Sequence, residues 1–271
     1  MKDAKPLIEE RYGHLPFAPP DTVPEGLAAL LGRSVTRRYR PEPVPEPLLA
    51  TVLAGAQSAP SKSDLQQYSI VVLTDRAAIA SIAGWIGSMP WIADAPVLLL
   101  FCADVRRHRE SCVRHGHEHA NDNLDTLLNA SVDAALAMGF CIMAAEAAGL
   151  GTCPISYVRN HLEKIAPLVG LPRGVFPVAG LSLGFPEAKE AVSARLPPSV
   201  VIHRGHYGSA GEAEAIAAYD ARRPRAKPRY PEVHGAAPEG CLWSENAARQ
   251  LSVPERAGFR AWLRHRGFAL D

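Results

Sequence analysis

The chain has 271 residues, of which 47% are apolar and 21% charged, and its 29 basic and 28 acidic side chains leave a net charge of +1. That balance excludes wholesale disorder and lacks the basic excess of a dedicated nucleic-acid or membrane-surface protein, while the length allows one large domain or two small ones. The five cysteines (Cys102, Cys112, Cys141, Cys153, Cys241) form no Cys-x-x-Cys pair, which excludes a zinc knuckle or thioredoxin motif and predicts a reduced, cytoplasmic protein using thiols as small apolar residues. Residues 1–24 are polar, proline-rich and without an apolar signal stretch, and are expected to form an arm, not a domain. A helix over 25–31 leads into a loop carrying Pro41, Pro43, Pro45 and Pro47. Leu48, Leu49, Val52, Leu53 and Ala56 then recur at helical spacing over 46–57. A polar loop at 59–67 precedes a β-branched strand at 69–75, a helix at 76–85 and a strand at 96–104, whose continuous apolar run predicts burial on both faces. Residues 105–123 are charged and histidine-rich. The 126–149 stretch is apolar nearly all round but carries Asn129, Ser131, Asp133 and Glu146. These polar groups argue against a membrane span and for a helix buried inside protein on most faces. Strands are expected at 152–156, 176–186 and 199–203, and helices at 160–168, 211–221 and 253–266. Strands alternating with helices along the whole length indicate one α/β or α+β domain.

No glycine-rich phosphate loop, Gly-x-Ser-x-Gly elbow or His-Glu-x-x-His motif is present. Any phosphate must therefore be held by arginine, which matches it bidentately. One candidate stretch is Arg33-Ser34-Val35-Thr36-Arg37-Arg38-Tyr39, which can equally be a solvated basic face. A second is the loop Ala59-Pro60-Ser61-Lys62-Ser63-Asp64-Leu65-Gln66-Gln67-Tyr68. Its amides, hydroxyls and carboxamide suit the polar edge of a flat heterocycle, or it is only a polar turn. His115, His117 and His119 would share a face of an extended segment; flanking arginines favour solvation over metal binding, and no metal is expected. Arg222, Arg223 and Arg225 lie in a loop that is either solvated or a site for a ligand phosphate.

In this order the segments resemble the FMN-dependent nitroreductase family, whose pattern is R-x-S-x-R-x-F, then E-P-V, a helix and P-S-S-x-N-x-Q. Arg33, Arg37 and Tyr39 hold places in the first element, and Pro60, Ser61 and Gln66 in the last. LLLFCADVRRH, AAEAAGLGTCPI, ARLP, LWS and FRAWLRHRGFA extend the resemblance to residues 26–271, within the NADPH-type flavin reductase and oxygen-insensitive nitroreductase group. It implies an α+β, three-layer fold with a central mixed sheet flanked by helices. It also implies one domain over 25–271 (205–271 a C-terminal extension), an interlocked homodimer, FMN, and NADPH or NADH as reductant. Arg33, with Ser34, and Arg195 would hold the FMN phosphate. Arg37 would lie near the pyrimidine edge or also reach phosphate. Ser61, Lys62, Ser63, Asp64 and Gln66 would contact the ring or ribityl chain from the partner subunit, Met89 would face the pyrimidine, and Pro154, Ile155 and Ser156 would lie along the ring. Arg222, Arg223 and Arg225 would meet the NADPH 2′-phosphate. No protein acid or base is assigned, because flavin N5 carries the hydride. The sequence departs from the pattern at Val35 for Ser (either Ser34 or Thr36 substitutes, or a phosphate donor is missing), Asp64 for Asn, Met89 for a polar residue, and Ser193 for the Lys of a K-x-R pair ending at Arg195. The resemblance implies NAD(P)H-driven two-electron reduction of small planar acceptors (nitroaromatics, quinones, flavins). It leaves open an oxidase or dehalogenase on the same fold, and a flavin-binding protein without turnover. No nucleic-acid or membrane partner is expected.

Overall fold

A computed structural model describes all 271 residues, which divide into two compact units: Met1–Ser34 with Ala191–Glu255, and Val35–Glu190 with Arg256–Asp271.

In the first unit the arm is folded. Lys2–Asp3 (β1) pairs antiparallel with Thr22–Val23 (β2), and Ala4–Tyr12 (α1) is capped by the Asp3 carboxylate and stopped at Gly13, whose φ is 74°. Ala4, Ile8, Val23 and Ala28 form a small core between α1 and Glu25–Leu31 (α2).

The second unit is a three-layer sandwich. Glu46–Gln57 (α3) has Pro47 in its first turn, where the missing N–H costs nothing. Tyr68–Leu73 (β3), Arg76–Ile86 (α4), Val97–Asp104 (β4), Arg106–Arg114 (α5), Leu124–Ala147 (α6), Gly151–Ile155 (β5), Leu162–Leu168 (α7) and Val175–Gly184 (β6) follow. The sheet order is β3-β4-β6-β5 with every neighbouring pair antiparallel, so the mixed character expected of the sheet does not come from pairings among these four strands. Strand β4 is buried along its whole length. Leu98 and Leu100 join Ile79, Ile82, Ile165 and Trp262 on one face, while Leu99 and Phe101 join Leu49, Val52, Ala134 and Cys141 on the other. This is the period-2 alternation of a strand covered on both sides.

Back in the first unit come Pro198–Val201 (α8), Glu212–Arg222 (α9), Pro231–His234 (α10) and Trp243–Leu251 (α11). Phe259–His265 (α12) closes the second unit.

Four expectations change. The run at 199–203 is a short helix, not a strand: Pro197 and Pro198 preset its first turn, and Val201 and Ile202 meet no sheet edge. The helix expected over 253–266 begins only at Phe259, because Pro254 and the left-handed Arg256 (φ 55°) interrupt the chain, and α11 precedes it. Residues 106–114 are helical, so His115 ends a helix while His117 and His119 follow a turn at Gly116; the three do not line an extended face. Finally, α6 is long and apolar enough to cross a membrane by composition, yet it is not buried on most faces. Thr126, Ala130, Asp133, Ala134, Ala137, Cys141 and Ala145 are buried, whereas Leu124, Leu128, Val132 and Leu136 form an uncovered stripe at four-residue spacing.

All five cysteines are free. Burial pushes the thiols of Cys102 and Cys141 up to about 12, so both stay protonated and inert at neutral pH.

Candidate functional site

In the first unit two basic segments meet. Arg33 is half-buried after α2 and Arg195 is exposed. Their main chains are joined through the α1 end: the Arg195 amide donates to the Arg11 carbonyl at 3.0 Å, and the Arg11 guanidinium donates to the Arg33 carbonyl at 2.8 Å. Arg195 also lines a cavity of about 390 Å³ with Tyr12, Tyr219, Arg223 and Trp243.

The three cations of the basic loop do not act as one set. Arg223 faces this cavity, over the Tyr219 ring and bonded to its hydroxyl. Arg222 instead reaches the Tyr12 carbonyl at 2.7 Å and His14, and Arg225 donates to the Gly240 carbonyl at 3.2 Å. Asn246 pins the loop, accepting from the Arg229 amide and donating to the Lys227 carbonyl.

In the second unit the segment after Ser34 is fastened to the sheet. Thr36 donates its amide to Thr152, and the buried Tyr39 hydroxyl donates to the Thr36 carbonyl at 2.7 Å and shares a hydrogen bond with Ser182. Burial, the largest influence, pushes the Tyr39 phenol above its ordinary range, so it serves as a neutral strut. Thr36 packs against Gly151, where a Cβ would collide with its hydroxyl. Thr36 is therefore spent on this packing and does not offer its hydroxyl in place of the one missing at Val35. Arg37 is exposed and lies 6.0 Å from the Trp91 ring centroid.

The 60–66 loop is mostly exposed, with Ser61 half-buried. Its backbone is left-handed at Ser63 (φ 50°), Asp64 (56°) and Gln66 (51°), a conformation that costs free energy outside glycine and is least costly for Asn and Asp. That explains an Asn or Asp at position 64 without any ligand. The Asp64 carboxylate accepts from the Gln66 carboxamide at 3.1 Å, and the Ser61 hydroxyl accepts the Gln66 amide at 3.2 Å.

What holds this strained loop was missed from sequence. Asp133 on α6, almost wholly buried, accepts the amides of Lys62 and Gln67 at 3.0 Å each. Arg107 on α5 donates to the Gln66 carbonyl at 2.8 Å and to Tyr68 and Ser69. The available signal was a carboxylate on the Ala130–Ala134–Ala137 face of an otherwise apolar helix. An unpaired carboxylate is rarely buried there.

Of the remaining expected residues, Pro154 and Ser156 are exposed, but strand alternation puts the Ile155 side chain in the core, so only its backbone is available to a ligand. Met89 packs against the same core.

The nitroreductase family model matches residues 30–185, and the model of the family's C-terminal domain matches 193–271. A Bacillus subtilis protein named FMN reductase [NAD(P)H] is 32% identical over 251 residues, covering 91% of this chain and 99% of its own. The oxygen-insensitive NADPH nitroreductase of Salmonella typhimurium is 32% identical over 241 residues, covering 89% and 96%. Among solved structures, B. megaterium NfrA2 superposes with a TM-score of 0.83 at 30% identity, covering 92% of this chain and all of its own. The NADPH:FMN oxidoreductase of Vibrio harveyi, complexed with NAD+, gives 0.77 at 26%, covering 89% and 97%. With both of its family models matched in chain order, and relatives of nearly full length aligned end to end, the chain belongs to the nitroreductase family, in its flavin reductase and NADPH nitroreductase group.

Proposed function

We propose that the chain is an FMN-dependent oxidoreductase. It would take electrons from NAD(P)H and pass them in pairs to a small planar acceptor (a nitroaromatic, a quinone or a free flavin) in a ping-pong cycle. The observation that carries this reading is the Arg33 and Arg195 pair, with Arg195 on a cavity that Arg223 and the three aromatic rings of Tyr12, Tyr219 and Trp243 also line. Two guanidiniums on separate segments suit a phosphate monoester. No helix start with a glycine fingerprint is present for the pyrophosphate of a dinucleotide cofactor. These residues fit FMN, which when bound supplies the two-electron redox chemistry.

The chain's own residues would bind and orient. Arg33 and Arg195 would take the phosphate, with Ser34 as an added donor. Arg37 would supply positive charge toward the ring's polar edge. Ser61–Gln66 would offer backbone and hydroxyl donors to the ring from the partner subunit. Arg223 would meet the charge that distinguishes NADPH from NADH. A homodimer would cover the open stripe of α6. Similarity to the Bacillus reductase and to the Salmonella NADPH nitroreductase supports the activity class.

Anaerobic mixing of the FMN-loaded protein with NADPH tests this. Bleaching of the flavin's visible band, reversed by a nitroaromatic or quinone, is the expected result. A band that stays yellow would leave a binding protein without turnover. A reduced protein reoxidised by dioxygen alone would mean an oxidase.

A further inference from the structure

Arg11 lies in the arm, upstream of the family model's first matched residue at 30, and B. megaterium NfrA2, matched over its whole length, leaves 8% of this chain uncovered. Yet Arg11 is 6% exposed, and its hydrogen bonds end on backbone carbonyls of both basic segments. Nη1 donates to Ser193 at 2.7 Å; Nη2 donates to Leu31 and to Arg33 at 2.8 Å each. In return, the Arg11 carbonyl accepts the Arg195 amide at 3.0 Å. One side chain thus bridges segments 160 residues apart in sequence. We propose that Arg11 is a positioning residue of the phosphate site: it clamps the Arg33 and Arg195 segments side by side and adds a third positive charge behind them without touching the ligand. The proposal rests on the reading that Arg33 and Arg195 bind the FMN phosphate.

Physical reasons favour a clamp of this kind. Two like-charged side chains on separate segments repel, so their separation must be imposed by something else. A planar guanidinium with five donors can bind three carbonyls at fixed angles, which an ammonium point charge cannot. Burial, followed by Arg195 and Arg33, lowers the proton affinity of Arg11, as expected for a cation placed among cations. Fixing the segments before the ligand arrives spares the ordering cost at binding. The helix that delivers Arg11 is itself built for precision, with the Asp3 cap, the Gly13 stop and the Ile8–Val23–Ala28 core, and Arg222 ties down its last turn through the Tyr12 carbonyl.

The test compares FMN with riboflavin, which has the same ring without the phosphate, by fluorescence titration of the full-length protein. Arg11→Met and Arg11→Lys are both expected to weaken FMN on the order of tenfold, the size of a lost charged hydrogen bond, and to leave riboflavin unchanged. Arg11→Gln keeps one carbonyl contact and substitutes if Arg11→Met does not fold. Wild-type FMN affinity in Arg11→Lys would show that charge alone matters and overturn the clamp. Equal loss of FMN and riboflavin in the Lys and Gln variants would reduce Arg11 to general stability and overturn it too. Arg33→Ala separates the two ideas. If it selectively weakens FMN and the Arg11 variants do not, only the clamp falls. If it has no selective effect, the phosphate assignment falls and takes the clamp with it.

Discussion

At the scale of single residues, role follows from where each polar group is spent. Arg33 holds the phosphate in our reading, so Arg33→Ala is expected to weaken FMN by about 1.5–3 kcal/mol, the range for a charged hydrogen bond, as read by flavin fluorescence. The basic loop makes a sharper case. Arg222 and Arg225 already donate to carbonyls, while Arg223 lines the cavity. Arg223→Ala is therefore expected to raise KM for NADPH on the order of tenfold and to leave NADH nearly unchanged, with Arg222→Ala and Arg225→Ala showing little of this selectivity. Steady-state kinetics with both reductants decides it; equal effects on NADPH and NADH would return the loop to a solvated face. Asp133 is a third case. Asn offers one acceptor oxygen where Asp133 uses two, and its amide group would face a backbone N–H. Asp133→Asn should cost about 1–3 kcal/mol of stability for the unsatisfied buried donor and loosen the left-handed residues it restrains. Urea unfolding measures the first effect and flavin affinity the second; unchanged values for both would remove Asp133 from the loop's support.

At the scale of elements, α6 carries the strongest prediction. Leu128 is 59% and Val132 46% exposed on a helix whose opposite face is fully packed. A stripe of large apolar side chains on the longest helix is too costly to leave in water and marks an interaction face. Ala135 is exposed and Gly139 half-buried, with open space around the glycine's Cβ position, so a partner helix can approach there. If α6 forms the proposed dimer interface, Ala135→Arg or Gly139→Arg is expected to abolish dimer and FMN binding together, since a core-like obligate interface would leave no stable subunit behind. Sedimentation velocity combined with flavin titration checks this, and a monomer that still binds one FMN per chain would refute the shared site.

At the scale of the molecule, legibility tracked the range of the interaction. The continuous apolar run of β4 and the helical spacing of 46–57 were readable because local geometry and burial point the same way. The loop residues of the candidate site could be named because their types report chemistry, and Asp64 also because few residues accept a left-handed backbone. Pattern failed where distant partners decide. The 199–203 segment reads as a strand, but no sheet edge awaits it and two prolines start a helix. Nothing in the arm's local pattern distinguishes Arg11 from any solvated arginine. Its value comes from carbonyls at Leu31, Arg33 and Ser193, which are remote in sequence. By itself, then, the sequence determined the family, the α+β layering and the identity of the arginine-bearing segments, since periodicity and residue chemistry are local properties. Only the tertiary structure decided that Arg11, Arg222 and Arg225 bind remote carbonyls while Arg195 and Arg223 line a cavity, that α6 leaves an apolar face open, and that a buried aspartate and an arm arginine hold the candidate site's segments, because hydrogen-bond partners and burial are set by residues far apart along the chain.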